Sequence, residues 1–320
     1  MRKRRLGDRS DGWRLRGLDP YDTVSPYIMV NRNTASNFFS DKFETASAQK
    51  YIREKRDEGL TNFGILHLMI AAYVRTMSQK PYLNRFISGQ KVFARNSIQV
   101  NMAVKPKFDR ESTDTVIKVV FDPTDTAKDV YEKFMKVYSD AVAPGDTGFD
   151  NTARIVNYIP GLLKKFAVWL LKTLDYFGLL PKKLLFVSPF HGSMFITSMG
   201  SLGIPPIYHH LYDFGNVPVF IAFGAMRHEY EITSDGSARR ANYIDYTVVT
   251  DERIADGFSY ASGFKMFRRL LSDPWKLDSA PEAVIEDPNI DSKLSPKKIR
   301  RLEAKKEKKA AKAQLKSKNS

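Results

Sequence analysis

The chain has 320 residues, of which 42% are hydrophobic, and it contains no cysteine. This size suits one large domain or two small ones, with a core that needs no disulfide or metal to hold it together. The lack of cysteine excludes a disulfide framework, a cysteine–zinc site and a thiol nucleophile, and it is typical of a reducing compartment. Since the sequence shows no secretory leader and no apolar run of membrane-spanning length, we expect a cytoplasmic protein.

The net charge of +15 is concentrated at the two ends of the chain. Residues 1–16 carry a net charge of +5 and residues 293–320 carry +10, so that the rest of the chain is neutral. This distribution predicts a basic N-terminal tail over 1–16, a folded domain over 17–280, and a linker with a basic, disordered or partly helical tail over 281–320. Such tails solubilise a protein, and contact with an anionic membrane surface or with nucleic acid is the alternative.

The first half of the predicted domain alternates helical and strand patterns. Residues 61–77 predict a largely buried helix capped by a threonine, and the Ser-Gly-Gln sequence at 88–90 predicts a hairpin. Strands are predicted over 98–104, where apolar residues alternate with polar ones, and over the β-branched run 116–121. Residues 125–138 have the periodicity of a helix with one apolar face.

The second half continues with strand patterns and ends in a helix. Residues 194–199 and 217–223 are strand-like, and the Asp-Gly turn at 235–236 predicts a hairpin, after which 243–250 forms a further strand segment. Residues 258–271 then predict a helix. Because short turns join several of these strands, the sequence predicts an α/β protein with a large mixed, mostly antiparallel sheet.

The segment 159–180 is almost entirely apolar, with Lys165 and Lys172 seven residues apart on one narrow polar stripe. We interpret it as an apolar helical insertion that covers the core or contacts another subunit. The alternative is an interfacial membrane helix, or a lid that accommodates an acyl chain.

Several catalytic motifs are absent, including those of P-loops, dinucleotide-binding folds, zinc hydrolases and nucleophile elbows. What remains is Asp251–Gly257, Asp-Glu-Arg-Ile-Ala-Asp-Gly, between a predicted strand and a predicted helix. It resembles the end of the catalytic domain in two related groups, the dihydrolipoyl acyltransferases of 2-oxoacid dehydrogenase complexes and chloramphenicol acetyltransferase. In that superfamily a strand runs into His-x-x-x-Asp-Gly, so Glu252 occupies the position of the catalytic histidine.

The resemblance extends over roughly residues 25–275. The stretch Met-Phe-Ile-Thr-Ser-Met-Gly at 194–200 is similar to the family's Thr-Ile-Ser-Asn-Leu-Gly strand, and 217–224 is similar to the strand that follows it. The resemblance implies a chloramphenicol acetyltransferase-like fold, a two-layer sandwich of a large mixed sheet and helices. The 159–180 segment belongs to neither group. We recognise no lipoyl domain in this chain, and therefore do not expect a complete multienzyme-complex core subunit.

The resemblance also implies a reaction, namely direct acyl transfer from acyl-CoA to a small thiol or hydroxyl acceptor, with no metal. In the family a histidine of one subunit deprotonates the acceptor and a hydroxyl of its neighbour stabilises the oxyanion, which implies a homotrimer. Applied to this sequence, the resemblance implies that Glu252 is the base and that Asp256 shapes the catalytic loop. Thr197 matches the family's serine, and Ser198 is one residue away from that position. Purely structural roles stay open for the same residues. Thr197 and Ser198 are then ordinary hydroxyl side chains at the surface of a strand, and Asp256 is a helix cap.

The glutamate at position 252 changes the expected basicity of the site. An unperturbed glutamate has a pKa of about 4.3 against about 6.5 for histidine, which makes it a weaker base by roughly 3 kcal/mol. Burial that raises the pKa of a glutamate to about 6–7 recovers most of this difference. In a site that has lost its activity, Glu252 pairs instead with Arg253 or with a neighbouring subunit.

Histidines elsewhere are candidates for a replacement base. His209 and His210 lie in a His-His-Leu-Tyr-Asp-Phe-Gly stretch whose spacing differs from the motif, and His191 precedes the 194–199 strand. His67 is expected to be a core histidine of the first helix. Three functions therefore stay open: a working acyltransferase, a catalytically impaired trimeric binding or scaffold protein, and a peripheral membrane or ribonucleoprotein factor.

Overall fold

The computed structural model describes residues 3–104, 115–143 and 157–290. The β-strands in these ranges are β1 Gly12–Arg14, β2 Ser36–Glu44, β3 Arg85–Ser88, β4 Lys91–Arg95, β5 Ile98–Val104, β6 Thr115–Phe121, β7 Met194–Ser198, β8 Val219–Ile232 and β9 Ala238–Asp251. The α-helices in the same ranges are α1 Pro20–Ile28, α2 Ala46–Asp57, α3 Ile65–Gln79, α4 Ala127–Val142, α5 Gly161–Tyr176, α6 Lys182–Val187 and α7 Gly257–Ser272.

Six strands form one mixed sheet in the order β2-β9-β8-β7-β5-β6. Strand β7 runs parallel to both of its neighbours, whereas the other neighbouring strands are antiparallel. The predicted mixed, mostly antiparallel sheet is confirmed. Strands β8 and β9 form the hairpin that the Asp-Gly signal at 235–236 predicts.

A smaller sheet of three strands, in the order β1-β4-β3, lies beside the large one. Its β3–β4 hairpin is the one predicted around residues 88–90. Gly89 and Gln90 at the turn both have positive φ angles, of 54° and 55°. Two successive residues in this region are typical of a tight hairpin turn whose twist matches that of the strands.

Helices α3, α4 and α7 cover one face of the large sheet and enclose the main core. Twelve of the fifteen residues of α3 are buried, as its apolar pattern predicts. The predicted start at residue 61 with a threonine cap is wrong, because α3 begins at Ile65 with Gly64 as its N-cap. The Gly64 backbone N–H donates to His67 Nδ1 at 3.2 Å, so a side chain inside the helix closes the first turn.

The opposite face of the large sheet, which we call the open face, carries a smaller apolar cluster of five side chains: Phe195, Leu211, Val217, Phe220 and Val249. The loop before β8 lies over this face, where the Thr247 hydroxyl donates to the Ile207 carbonyl oxygen at 2.6 Å. The domain is therefore a two-layer sandwich of a mixed sheet and helices, as the resemblance implies.

The N-terminal residues belong to the domain for most of their described length. Strand β1 pairs with β4, and Arg9 and Leu15 are buried. The predicted basic tail over residues 1–16 is therefore wrong for residues 9–15, which belong to the folded domain. Backbone pairing and the buried ion pair between Arg9 and Asp11, at 2.8 Å, outweigh the local polarity of the sequence.

The predicted C-terminal linker also packs on the domain where it is described. Asp287 forms a buried ion pair with Arg85 at 2.5 Å, and Ile290 is buried. The domain therefore continues to residue 290, past the predicted boundary at 280. The predicted basic tail over 293–320 lies outside the described residues.

Helix α5 forms the middle of the apolar segment 159–180. Only Asp175 of its sixteen residues is buried. The Asp175 carboxylate accepts a hydrogen bond from Arg9 Nη2 at 2.7 Å, and its carbonyl oxygen accepts one from the Ser88 hydroxyl at 3.0 Å. The interpretation of this segment as a cover for the core is therefore wrong, because most apolar side chains of α5 are exposed. Over the described ranges, no helix has the length and apolarity to cross a membrane.

Candidate active site

The turn after β9 carries the segment that resembles the acyltransferase motif. β9 ends at Asp251, and a 3₁₀ turn, Glu252–Ile254, leads towards α7. The Asp251 carboxylate is fully buried and accepts hydrogen bonds from Arg253 Nε at 2.7 Å and Arg253 Nη2 at 2.8 Å. A second buried guanidinium, that of Arg32, has its Nε 3.3 Å from the same carboxylate. Two arginines that share one buried carboxylate therefore hold the turn in place.

Glu252 lies on the exposed side of this turn. The suggested ion pair between Glu252 and Arg253 is wrong, because Arg253 is fully occupied elsewhere. Besides its bonds to Asp251, Arg253 Nη1 donates to the carbonyl oxygens of Met29 at 2.8 Å and Val30 at 3.2 Å. In a single chain the Glu252 carboxylate therefore faces solvent.

Asp256 is the N-cap of α7. Its carboxylate accepts a hydrogen bond from the Ser259 backbone N–H at 2.8 Å, and the hydrogen bonds with Ser259 lower the pKa of Asp256. An ionised carboxylate at this position is stabilised by the free N–H groups and the dipole of the helix start. Asp256 therefore fixes where the turn ends and the helix begins.

Thr197 and Ser198 are the last two residues of β7, and both are half-buried. Successive side chains of a strand point to opposite faces of the sheet. Thr197 lies two residues after Phe195 and therefore points to the same face, and Phe195 belongs to the cluster on the open face. Ser198 lies two residues after Ile196 and points to the same face as Ile196, which belongs to the main core under the helices. The two candidate hydroxyls therefore lie on different faces.

The candidate base and the candidate hydroxyls are far apart within one chain. Thr197 pairs with Ala222 of β8, and Ala222 pairs with Thr247 of β9. Glu252 lies five residues beyond Thr247. With strands about 4.8 Å apart and a rise of about 3.3 Å per residue, Thr197 and Glu252 are separated by about 20 Å. A single chain does not bring the two groups to one substrate.

A cleft of about 560 Å³ opens at the end of β7 on the helix-covered face. Ser198 lines it together with Arg53 and Arg56 of α2 and His67 of α3. Two guanidinium groups three residues apart on one helix favour an anionic ligand, since arginine binds phosphate and carboxylate groups well.

His67 is a buried histidine, as the sequence predicts. Burial, with a smaller contribution from the charge of Arg56, lowers the pKa of His67 to about 4. Its ring lies among Phe63, Tyr131 and Phe134, with the His67 and Tyr131 ring centres 5.0 Å apart. At neutral pH, His67 is therefore uncharged and is poorly suited to act as an acid.

This lowered pKa predicts a loss of stability in mild acid. Because the folded-state pKa of His67 lies below the unfolded value of about 6.5, the unfolded chain binds the proton first as the pH falls. We expect His67 to remove about 3 kcal/mol of folding free energy between pH 6.5 and pH 4. Urea unfolding of the wild type and of His67→Gln at pH 7 and pH 4 measures this. An equal loss in the two proteins contradicts the assignment.

The other candidate histidines have partners of their own. His209 stacks on Phe220 with ring centres 3.9 Å apart, and burial lowers its pKa. His191 is buried, with its Nε2 3.5 Å from Asp175, and burial lowers its pKa against the opposing effect of Asp175. Across the described ranges, no group of three or more His, Cys, Asp or Glu side chains has an arrangement that could hold a metal ion.

Sequence reasoning missed three arginines near these sites. Arg32 reaches Asp251 from a loop far away along the chain, and a single arginine in a loop gives no sequence signal. Arg53 and Arg56 are marked only by their spacing on a charged helix, which is shared by many solvent-exposed helices.

No protein-family model and no curated protein sequence matches the chain. Among solved structures, a protein described as a probable dihydrolipoamide acetyltransferase from Listeria monocytogenes 4b F2365 is similar, with a TM-score of 0.50 and 12% sequence identity. The match covers 78% of this chain and 92% of that one. This chain has the CoA-dependent acyltransferase fold. The fold class inferred from the resemblance is therefore confirmed.

Two further solved structures are similar at lower TM-scores. The dihydrolipoamide acetyltransferase of Azotobacter vinelandii has a TM-score of 0.48 and 12% identity, over 78% of this chain and 89% of that one. A chloramphenicol acetyltransferase has a TM-score of 0.46 and 10% identity, over 78% of this chain and 93% of that one. At these identities the likeness is one of fold, and the activity of this acyltransferase-fold protein has to be argued from its own residues.

Proposed function

We propose that this protein assembles as a homotrimer and transfers an acyl group from acyl-CoA to a small thiol or hydroxyl acceptor. The observation that carries the proposal is the exposed Glu252 at the acyltransferase-like turn, about 20 Å from Thr197 in the same chain. A general base and an oxyanion donor must both lie within hydrogen-bond reach of the reacting groups. The site is therefore completed between subunits, with Glu252 from one and the hydroxyl from its neighbour.

The open face of the sheet supports a contact between copies. It carries Phe38, Ile204, Ile207 and Tyr208, each of which is 40% or more exposed. The rings of Phe38 and Tyr208 meet edge to face, with centres 6.2 Å apart. A group of exposed apolar side chains of this kind marks a protein contact surface. Thr197 lies on the same face, so a neighbour that covers these residues also approaches its hydroxyl.

The proposed reaction needs no group beyond the side chains and the two substrates. Glu252 takes the proton of the acceptor thiol or hydroxyl, and the acceptor attacks the thioester carbonyl carbon. The hydroxyl of Thr197 or Ser198 donates to the oxyanion that forms. When the intermediate collapses, the carbon–sulfur bond breaks, and the CoA sulfur takes the proton back from Glu252.

The cleft at the end of β7 is the proposed binding place for CoA. Arg53 and Arg56 supply positive charge for its phosphate groups, and Ser198 lines the same cleft. Substituting both arginines with glutamine should therefore raise the KM for acyl-CoA, with little change in kcat.

A second function is favoured by the exposure of Glu252. A glutamate in water is a weak base, and burial or a neighbouring negative charge is needed to raise its pKa towards that of a histidine. If Glu252 stays exposed to solvent next to the neighbouring subunit, the trimer binds acyl-CoA without catalysing transfer and acts as a binding or scaffold protein.

The two functions are separated by one assay on the purified full-length chain. The protein is given acetyl-CoA and a simple thiol acceptor, and the release of free CoA is followed while light scattering gives the mass of the assembly. A transferase gives acceptor-dependent release, and a binding protein gives a saturable complex without release. A monomer at all concentrations contradicts both, because both functions are proposed for the trimer and because one chain does not bring the Glu252 and Thr197 of the transferase site together.

The two candidate hydroxyls can be told apart by paired variants. We expect Thr197→Val to lower kcat by about 100-fold, the usual cost of removing one oxyanion donor, because Thr197 is on the face open to a neighbour. Ser198→Ala changes the hydroxyl that lines the proposed CoA cleft, and it should raise the KM for acyl-CoA while kcat stays within about threefold. The reverse order would assign the oxyanion to Ser198. If wild-type turnover is too slow, the same pair is compared in the Glu252→His background.

A further inference from the structure

Helix α5 has a continuous apolar face that points away from the domain. With 100° between successive residues, seven positions of α5 and its C-cap residue, eight in all, fall within an arc of about 140°. Seven of the eight are apolar or aromatic: Leu162, Leu163, Phe166, Trp169, Leu170, Tyr176 and Phe177. Their exposed fractions run from 40% to 86%. An arc of this width is typical of a helix that buries one whole side in an apolar medium.

The opposite side of α5 is on the whole less exposed. Ala167, Leu171 and Asp175 fall on this side and are half-buried or buried, whereas Val168 on the same side is 39% exposed. Asp175 anchors the last turn of α5 through its ion pair with Arg9 at 2.7 Å, and the hydroxyl of Tyr176, which lies at the edge of the apolar face, donates to Gln90 Oε1 at 2.8 Å. The contacts that hold α5 to the domain are therefore made in its last turn, and they leave the outward apolar face exposed.

Positive charge lies along one edge of this face and in the segment that follows it. Between residues 157 and 190 the chain has five lysines and a single acidic residue, Asp175, which is buried and paired. The helical arc places Lys165 and Lys172 along one edge of the apolar face. Two more lysines, Lys182 and Lys183, follow at the start of α6 and are exposed.

We propose that α5 lies in the interfacial plane of an anionic membrane, with its apolar face at the boundary of the acyl chains. At 1.5 Å per residue, α5 is about 24 Å long, which is shorter than the apolar thickness of a bilayer and suits a helix that lies flat. Trp169 and Tyr176 are the amphipathic aromatic side chains that are enriched at membrane interfaces. The lysines along the edge match the negative charge of the lipid headgroups. This inference is independent of the acyltransferase activity.

The test measures retention of the full-length chain on sedimented lipid vesicles. Vesicles of phosphatidylcholine with about one-third phosphatidylglycerol are compared with pure phosphatidylcholine at physiological salt. We expect strong retention on the anionic vesicles alone. The variant Phe166→Ser/Trp169→Ser should lower the partition coefficient by at least about tenfold, and so should Lys165→Gln/Lys172→Gln.

A matched control uses apolar side chains that are equally exposed elsewhere. Tyr230 and Ile232 lie near the β8–β9 hairpin, with exposed fractions of 75% and 83%. The variant Tyr230→Ser/Ile232→Ser removes a similar apolar area and should leave retention unchanged. In addition, the fluorescence of Trp169 should shift to shorter wavelength with anionic vesicles, and this shift should vanish in Trp169→Phe.

Three outcomes overturn the proposal. In the first, the wild type does not bind anionic vesicles. In the second, retention survives both α5 variants and disappears when residues 293–320 are removed, which assigns binding to the basic tail. In the third, the α5 variants change only the mass of the assembly in solution, which assigns the face to a second copy of the chain.

Discussion

Replacing Glu252 with histidine is expected to raise kcat/KM for acyl transfer by about 100-fold at neutral pH. The gain follows from basicity, since an unperturbed histidine is a stronger base than an unperturbed glutamate by roughly two pKa units. The surrounding turn is already in place, because Asp251 and Asp256 hold its two ends whatever stands at position 252. The measurement is free CoA release with acetyl-CoA and a thiol acceptor. The rate of the Glu252→His variant should rise with pH through about 6.5, where histidine loses its proton.

Two variants control this experiment. Glu282→His places a histidine at another exposed glutamate, outside the turn, and should leave the rate at the wild-type level. Glu252→Gln keeps the size of the side chain and removes the base, so any wild-type turnover should fall to background. If the wild type is fast and Glu252→Ala is equally fast, Glu252 is not the base. If Glu252→His stays silent while acyl-CoA binding and the trimer are intact, the protein is a binding protein.

Removing the Asp251 carboxylate is expected to cost about 3–5 kcal/mol of folding free energy. Asp251 is fully buried between Arg32 and Arg253, and Asp251→Ala leaves two buried guanidinium groups without their counter-charge. Burial lowers the pKa of Arg32, and the Asp251 carboxylate opposes this effect, so the carboxylate stabilises the charged guanidinium. For a domain of this size the melting temperature should fall by on the order of 10 °C.

The matched control for this variant is an exposed ion pair between β8 and β9, whose carboxylate lies in the same strand as Asp251. Asp245 accepts from Arg227 Nη2 at 2.8 Å, and both side chains are partly exposed. Asp245→Ala should cost at most about 1 kcal/mol, as is usual for a surface pair. Urea unfolding of both variants measures the difference. Equal losses in Asp251→Ala and Asp245→Ala contradict a special role for the buried carboxylate.

A double-mutant cycle measures the interaction free energy between Asp251 and Arg253 separately from their other contacts. The combined variant Asp251→Ala/Arg253→Ala removes the charge on both sides of the shortest contact. It should be less destabilised than the sum of the two single variants, because each single change breaks the same buried contact and the sum counts that loss twice.

The sequence by itself determined the strands near the site and the segment that carries the chemistry. The turn at 235–236 was readable because Asp-Gly suits a tight hairpin turn, and 194–199 and 217–223 were readable as apolar runs. The motif Asp251–Gly257 was readable because its residues are adjacent in the chain. Turns, short strands and contiguous motifs depend on residues a few positions apart in the chain, and the sequence gives these residues directly.

The tertiary structure decided how distant residues combine around those segments. It joined Arg32 to Asp251, placed Thr197 and Ser198 on opposite faces of the sheet, and packed residues 9–15 onto β4. It also left the apolar face of α5 outside the core, although the apolar composition of 159–180 had favoured a helix that covers the core or contacts another subunit. A pattern of apolar residues specifies that a face will be buried, but the medium that buries it is set by what the rest of the chain brings to that side.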